Sequence, residues 1–105
     1  MAHISEDLVA SLQHLEPTTS VEESLARLLK ARAEERRRAY AREAETYRQR
    51  YGMDAETFHS THIANRDHSW EDEETYFDWV TALQVVVEMD EEIVRLEKIL
   101  ARATR

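Results

Sequence analysis

Pro17 and Gly52 are the single proline and the single glycine in a chain of 105 residues. Turns, bulges and tight hairpins draw on these residue types, so a chain nearly without them can reverse direction only a few times. Ala, Glu, Arg and Leu are abundant instead, and these favour helix. The expectation is an all-α protein, bundle-like or coiled-coil-like, with two short and two long helices in one domain over 1–105.

The helix boundaries follow from capping chemistry. Ser5 is a candidate N-cap, with Glu6 and Asp7 in the first turn and Ile4 and Val9 placed as a hydrophobic staple. Leu8, Leu12 and Leu15 line one face, and the helix over 5–15 stops before Pro17. Thr19 with Glu22 and Ser20 with Glu23 both fit a capping box, which starts a second helix over 20–51. Its apolar face begins as Val21, Leu25, Leu28 and Leu29 and continues as Ala33, Tyr40, Ala44, Tyr47 and Tyr51. Thirty residues of helix span about 45 Å, longer than so small a domain covers with its own core. Gly52 can take the left-handed conformation that closes a helix, and Asp54 can cap a short third helix over 54–63. The stretch "ANRDHS" is a connector. A fourth helix over 70–101 begins with Glu71, Asp72, Glu73 and Glu74, which complement its exposed N–H groups.

In that last helix Trp79, Ala82, Val86, Met89, Ile93, Leu96 and Leu100 follow an alternating three-four spacing, the seam of a coiled coil or long bundle helix. Tyr76, Phe77, Val80, Leu83 and Val87 widen the apolar surface of its first half. Only 22 residues are Leu, Ile, Val or Phe, close to the roughly 20% below which charged chains stay disordered. A core this small leaves a lone monomer marginal. The chain is therefore expected to complete its core as a homo-oligomer, a dimer joined along Val86, Met89, Ile93, Leu96 and Leu100, or on a partner.

Charge is unevenly spread. The net charge is −8, and residues 54–105 hold thirteen acidic and five basic side chains against nine of each in residues 1–53. From Arg27 to Arg50 nine basic residues face four acidic ones. Such asymmetry suits either a solvated surface or the docking of a charged partner. Trp70, Tyr76, Phe77 and Trp79, interleaved with Glu71, Asp72, Glu73, Glu74 and Asp78, have the composition of a protein-interface anchor, although the same rings could simply cap the core. With no cysteine, disulfides, thiolate nucleophiles and Cys-zinc sites are excluded. "MAHISEDLV" lacks a basic start and a long apolar run, and the longest aliphatic run is Val85 to Val87, so a cytoplasmic protein without a membrane span is expected.

The chemistry available is thin. In "ETFHSTH", Glu56, His59 and His62 recur every three residues, with neighbours in reach of each other but the outer pair about 9 Å apart along a helix. Di-metal carboxylate bundles use Glu-x-x-His twice, with further glutamates from other helices; here the motif occurs once, and a second copy of the chain would have to supply the other. A divalent metal on these three residues is the alternative to a polar helix surface. Glu71-x-x-Glu74 and Glu88-x-x-Glu91 imitate the magnesium-binding pairs of all-α nucleotide pyrophosphohydrolases, yet one helix holds them about 25 Å apart. A single glycine permits neither a nucleophile elbow nor a phosphate-cradling loop. No enzyme activity and no cofactor are expected.

"ISEDLVASLQHLEPTTSVEESLARLLKA" resembles the two helices and turn of a ribbon-helix-helix protein. Beyond it, the helix ending in "RYGM", the "ETF" helix, the acidic connector and "YFDWVTALQ" resemble small helical antitoxins of type II toxin-antitoxin pairs. The resemblance implies an obligate dimer whose C-terminal part inhibits a small basic toxin, often a ribonuclease, through acidic and aromatic contacts. Ribbon-helix-helix proteins read DNA with an N-terminal strand; only "MAHI" precedes Ser5, and an acidic chain repels phosphates. Arg32, Arg36, Arg37 and Arg38 are the one basic patch that could contact nucleic acid. Three readings stay open: a dimeric antitoxin-like inhibitor, a metal-binding oligomer, and a purely structural helical dimer.

Overall fold

The computed structural model describes residues 4–64 and 67–103. Four α-helices are found: α1 (Glu6–Leu15), α2 (Val21–Tyr51), α3 (Ala55–Phe58), which runs directly into a π-helical turn (His59–Ile63), and α4 (Trp70–Ala103). The fold is all-α, and among the described residues there is no strand. The connector expected over Ala64 to Ser69 includes Asn65 and Arg66, which lie outside the described residues, as does most of "MAHI".

Each boundary has a local cause. The Ser5 hydroxyl accepts from the Leu8 N–H at 3.1 Å, and Glu16 closes α1 by donating its N–H to the Leu12 carbonyl at 2.8 Å. Of the two capping boxes open to the start of α2, the structure shows the hydroxyl half of that of Ser20, which accepts from the Glu23 N–H at 3.1 Å. The Glu23 carboxylate engages Arg27 at 2.7 Å, one turn on. Thr19 instead shares a short hydroxyl–hydroxyl bond with the buried Ser24, which satisfies a polar side chain placed in that interior. Gly52 ends α2 at φ 66° and donates its N–H to Arg48 O at 2.8 Å, the left-handed closure that favours glycine. Asp54 caps α3 through the Thr57 N–H at 2.8 Å, and Ser69 caps α4 through the Asp72 N–H at 3.1 Å.

The contacts divide the chain into two compact units, residues 1–34 with 91–105, and residues 35–90. In the first, Ala26, Ala33 and Leu96 are buried with Ser24, and Lys30 reaches Glu97 at 3.8 Å between α2 and α4. No residue of α1 is buried, and Leu8 and Leu15 stand exposed.

In the second unit α2 and α4 pack antiparallel, with α3 and the π turn against them. Trp79 is 2% exposed and Phe58 is fully buried, with Ala44 and Ala82 completing the cluster. The alanines leave space for large rings: Tyr47 stacks on Trp79 at 5.8 Å, Phe58 lies 5.6 Å from Trp79, and Tyr51 lies 4.7 Å from Phe58. Tyr40, Met53 and Ile63 pack on the rim. Arg37 of α2 pairs with Asp90 of α4. This core is built from few, large, flat side chains, which is how a chain poor in aliphatic residues still buries apolar area.

Candidate functional site

The structure separates residues that the sequence groups together. Phe77 and Trp79 are two residues apart, about 200° around a helix, and therefore face opposite ways. Trp79 fills the core, so its assignment as a partner anchor is corrected to a structural one. Trp70 and Phe77 remain at the surface, 74% and 70% exposed. They are seven residues apart, two turns along one face of α4. Tyr76 is half-buried, and its ring lies 4.9 Å from His59.

Around the two exposed rings lies a shallow, mostly apolar groove of about 670 Å³, with Ile63, Tyr76 and Val80 in its wall and Glu73, Glu74 and Asp78 at its edge. Glu73 is held by a hydrogen bond to His68 Nε2 just before α4. Glu71 is exposed and Asp72 half-exposed in the same first turn. The groove thus combines two uncovered rings with a one-signed, acidic rim. Ile63 and His68 were not singled out as parts of this site. Ile63 sits at the end of a polar motif and His68 inside a connector, and neither local context carries an apolar period.

The environment also shifts titrations. Burial, followed by the negative charges of Glu43 and Asp78, pushes the Tyr47 hydroxyl above its ordinary value. The backbone N–H of Thr57 holds the Asp54 carboxyl below the usual carboxylate range. Both are effects of the fold, and neither group lies in the groove.

Within one chain the three residues of the metal alternative do not come together. His62 stacks flat on Phe58, with centroids 4.5 Å and planes 10° apart, and its Nδ1 lies 2.8 Å from the Thr61 hydroxyl. His59 turns to Tyr76, and Glu56 is exposed. Among the described residues no three His, Asp or Glu side chains converge on a point that could hold a metal ion. Three-residue spacing brings these side chains together only on a regular α-helix, whereas His59 to Ile63 form a π turn closed by the Ala64 N–H on His59 O at 2.8 Å. The Ser60 and Thr61 hydroxyls bond back to the carbonyls of Glu56 and Thr57, the local competition that distorts helical ladders. A wider turn moves the histidines off the α-helical face on which they were expected to align.

The seam expected to join two copies is already partly covered by the chain. Leu96 is buried, and Val86, Met89, Ile93 and Leu100 are half-buried, because this is the side of α4 on which α2 lies. The basic run is also partly engaged, with Arg37 on Asp90 and Arg36 over the Tyr40 ring at 5.0 Å. Among the described residues no helix is long and apolar enough to cross a membrane. Comparison with protein-family models, with curated proteins and with solved structures gives no match.

Proposed function

We propose that this chain is a non-enzymatic protein-binding module that captures and inhibits a small basic protein, in the manner of the antitoxin of a type II toxin-antitoxin pair, and that it works as a homodimer. The single observation that carries the reading is the groove of α4, where Trp70 and Phe77 stand uncovered beside Glu73, Glu74 and Asp78. Exposed large rings in a contiguous apolar hollow mark docking sites, and aromatic side chains supply most of the binding energy at such centres. The acidic rim selects a cationic partner and speeds its approach.

Co-expression with the product of the adjacent open reading frame tests this reading. A basic partner should co-purify and its growth inhibition should be relieved. Trp70→Ala with Phe77→Ala should weaken the complex by at least about 30-fold, since a hot-spot ring contributes about 2 kcal/mol or more. An unaltered affinity in the double variant, with helicity intact, rules out the groove as the docking site.

A further inference from the structure

We infer that a second copy of the chain docks antiparallel on α1, through Leu8, Ser11 and Leu15. The two leucines are 64% and 77% exposed, and no residue of α1 is buried. With Ser11 between them they follow the three-four spacing of a coiled-coil stripe. No charged side chain falls on that stripe. Glu6 lies on the far side of the helix from Leu8, Asp7 and His14 run along one edge, and the half-buried Glu16 lies at the other. Against Ala10, Ser11, His14 and Leu15 there is a shallow hollow of about 460 Å³, and these four side chains frame a hole for a knob from a facing helix. The stripe belongs wholly to the unit of residues 1–34 and 91–105 and shares no residue with the Trp70 and Phe77 groove.

The order of polar groups along the edge of the stripe identifies the occupant. Asp7 in the first turn and His14 in the last are both exposed, and an imidazole donates to a carboxylate in either protonation state. In an antiparallel pair each edge faces the same edge of the other helix. Leu8 of each copy then lies opposite the second copy's Leu15, Asp7 comes within reach of its His14, and Ser11 sits at the two-fold axis. A parallel pair would instead bring the two Glu6 and Asp7 clusters together. A purely basic partner would leave His14 facing cations and a purely acidic one would leave Asp7 facing anions, whereas a reversed copy matches both. An anionic lipid surface is disfavoured, because α1 carries neither Lys nor Arg. Net charge favours the same occupant. Residues 1–34 with 91–105 hold nine acidic and seven basic side chains, against thirteen and seven in residues 35–90, so repulsion between copies is weakest on the unit that carries α1. The inference deepens the homodimer part of the proposed function and rests on it.

The test is sedimentation of the full chain over a concentration series. A helix of ten residues covers less than a standard interface, so the mass should rise from that of the 12.4 kDa chain to twice that value across the micromolar range. Leu8→Lys with Leu15→Lys should weaken dimerisation by at least about 100-fold, since each dimer loses four apolar anchors to charges. Helicity should be retained, because neither position is buried and Lys is about as good a helix former as Leu. Because the chain has no cysteine, single cysteines report orientation. A short bismaleimide should join Ser11→Cys to itself and should not join Ile4→Cys to itself, the two copies of residue 4 lying about 20 Å apart in the antiparallel pair. A native protein that stays monomeric would overturn the inference together with the homodimer reading. A dimer that survives the double Lys variant, fails to join through Ser11→Cys, or joins through Ile4→Cys would overturn the inference alone and leave that reading standing. Capture of the basic partner, scored separately with Trp70→Ala and Phe77→Ala, reports on the groove whatever the mass shows.

Discussion

Replacing Trp79 by Ala tests how this protein is held together. The side chain is 2% exposed and touches three rings, Tyr47, Tyr51 and Phe58, at centroid distances of 5.8, 6.2 and 5.6 Å. A tryptophan buries roughly 150–250 Å², which at about 25 cal/mol per Å² is about 4–6 kcal/mol of transfer free energy. Aromatic pairing adds to this and partial collapse of the cavity subtracts. Measured Trp→Ala changes in cores fall at about 3–5 kcal/mol. Against a domain stability of about 5–15 kcal/mol, that is a large share. The midpoint of thermal unfolding should fall by roughly 12–40 °C, taking about 4–8 °C per kcal/mol for a domain of this size.

Circular dichroism at one fixed protein concentration suffices as the assay, since dimerisation would otherwise move the midpoint. Trp70→Ala is the control, because a ring 74% exposed should cost at most about 0.5 kcal/mol. Trp70 and Trp79 are the only tryptophans, so each single-tryptophan variant is also its own probe. Emission should be blue-shifted when only Trp79 remains and red-shifted when only Trp70 remains. A loss below about 1 kcal/mol for Trp79→Ala, or equal losses for the two variants, would refute the placement of Trp79 at the centre of the core.

Three further predictions rest on local geometry. Gly52→Ala meets no atom within 4 Å yet holds φ at 66°, so it should lower stability by about 1–2 kcal/mol through backbone strain alone; an unchanged urea midpoint would show that α2 ends differently. Asp54 has a depressed carboxyl pKa because it accepts the Thr57 N–H, so its contribution is complete above the ordinary Asp value and is lost as pH falls through the lower folded one. Asp54→Asn keeps an uncharged acceptor and should flatten the acid limb of stability against pH, and superimposable limbs would contradict the cap. Tyr47 is raised by burial, then by Glu43 and Asp78; its folded-state stabilisation is complete below the ordinary tyrosine value and is lost as pH rises through the higher folded one. Loss of one late-titrating phenol in Tyr47→Phe, followed by ultraviolet absorbance, checks this.

Helical periodicity and end chemistry locate elements in this sequence but not the partners of their faces. Ser5, Ser20, Gly52, Asp54 and Ser69 act within four residues of themselves, so their roles can be read without knowing the fold. The row Ala33, Tyr40, Ala44, Tyr47 and Tyr51 is equally legible as one face of a helix. The difference between Phe77 and Trp79 is not. Both lie in one apolar and acidic cluster, and α4 is apolar over more than half of its circumference there, so its phase alone does not say which ring α2 and Phe58 will cover. The same breadth explains the two rows on α4. The regular seam from Val86 to Leu100 is the more conspicuous in sequence and is the one that α2 approaches, whereas Val80, Leu83 and Val87, which only widen the apolar surface, are left outside. The placement of the histidines is illegible for a complementary reason. Their spacing has meaning only on a regular helix, and the hydroxyls of Ser60 and Thr61 lie between them and bond back to the preceding turn. Ser60→Ala with Thr61→Ala removes that competition and should tighten His59 to Ile63 toward α-helical spacing. Hydrogen exchange at Ala64 would register the change as a different carbonyl partner for its amide, and unchanged protection there would show that packing on Phe58, not the hydroxyls, sets the wide turn.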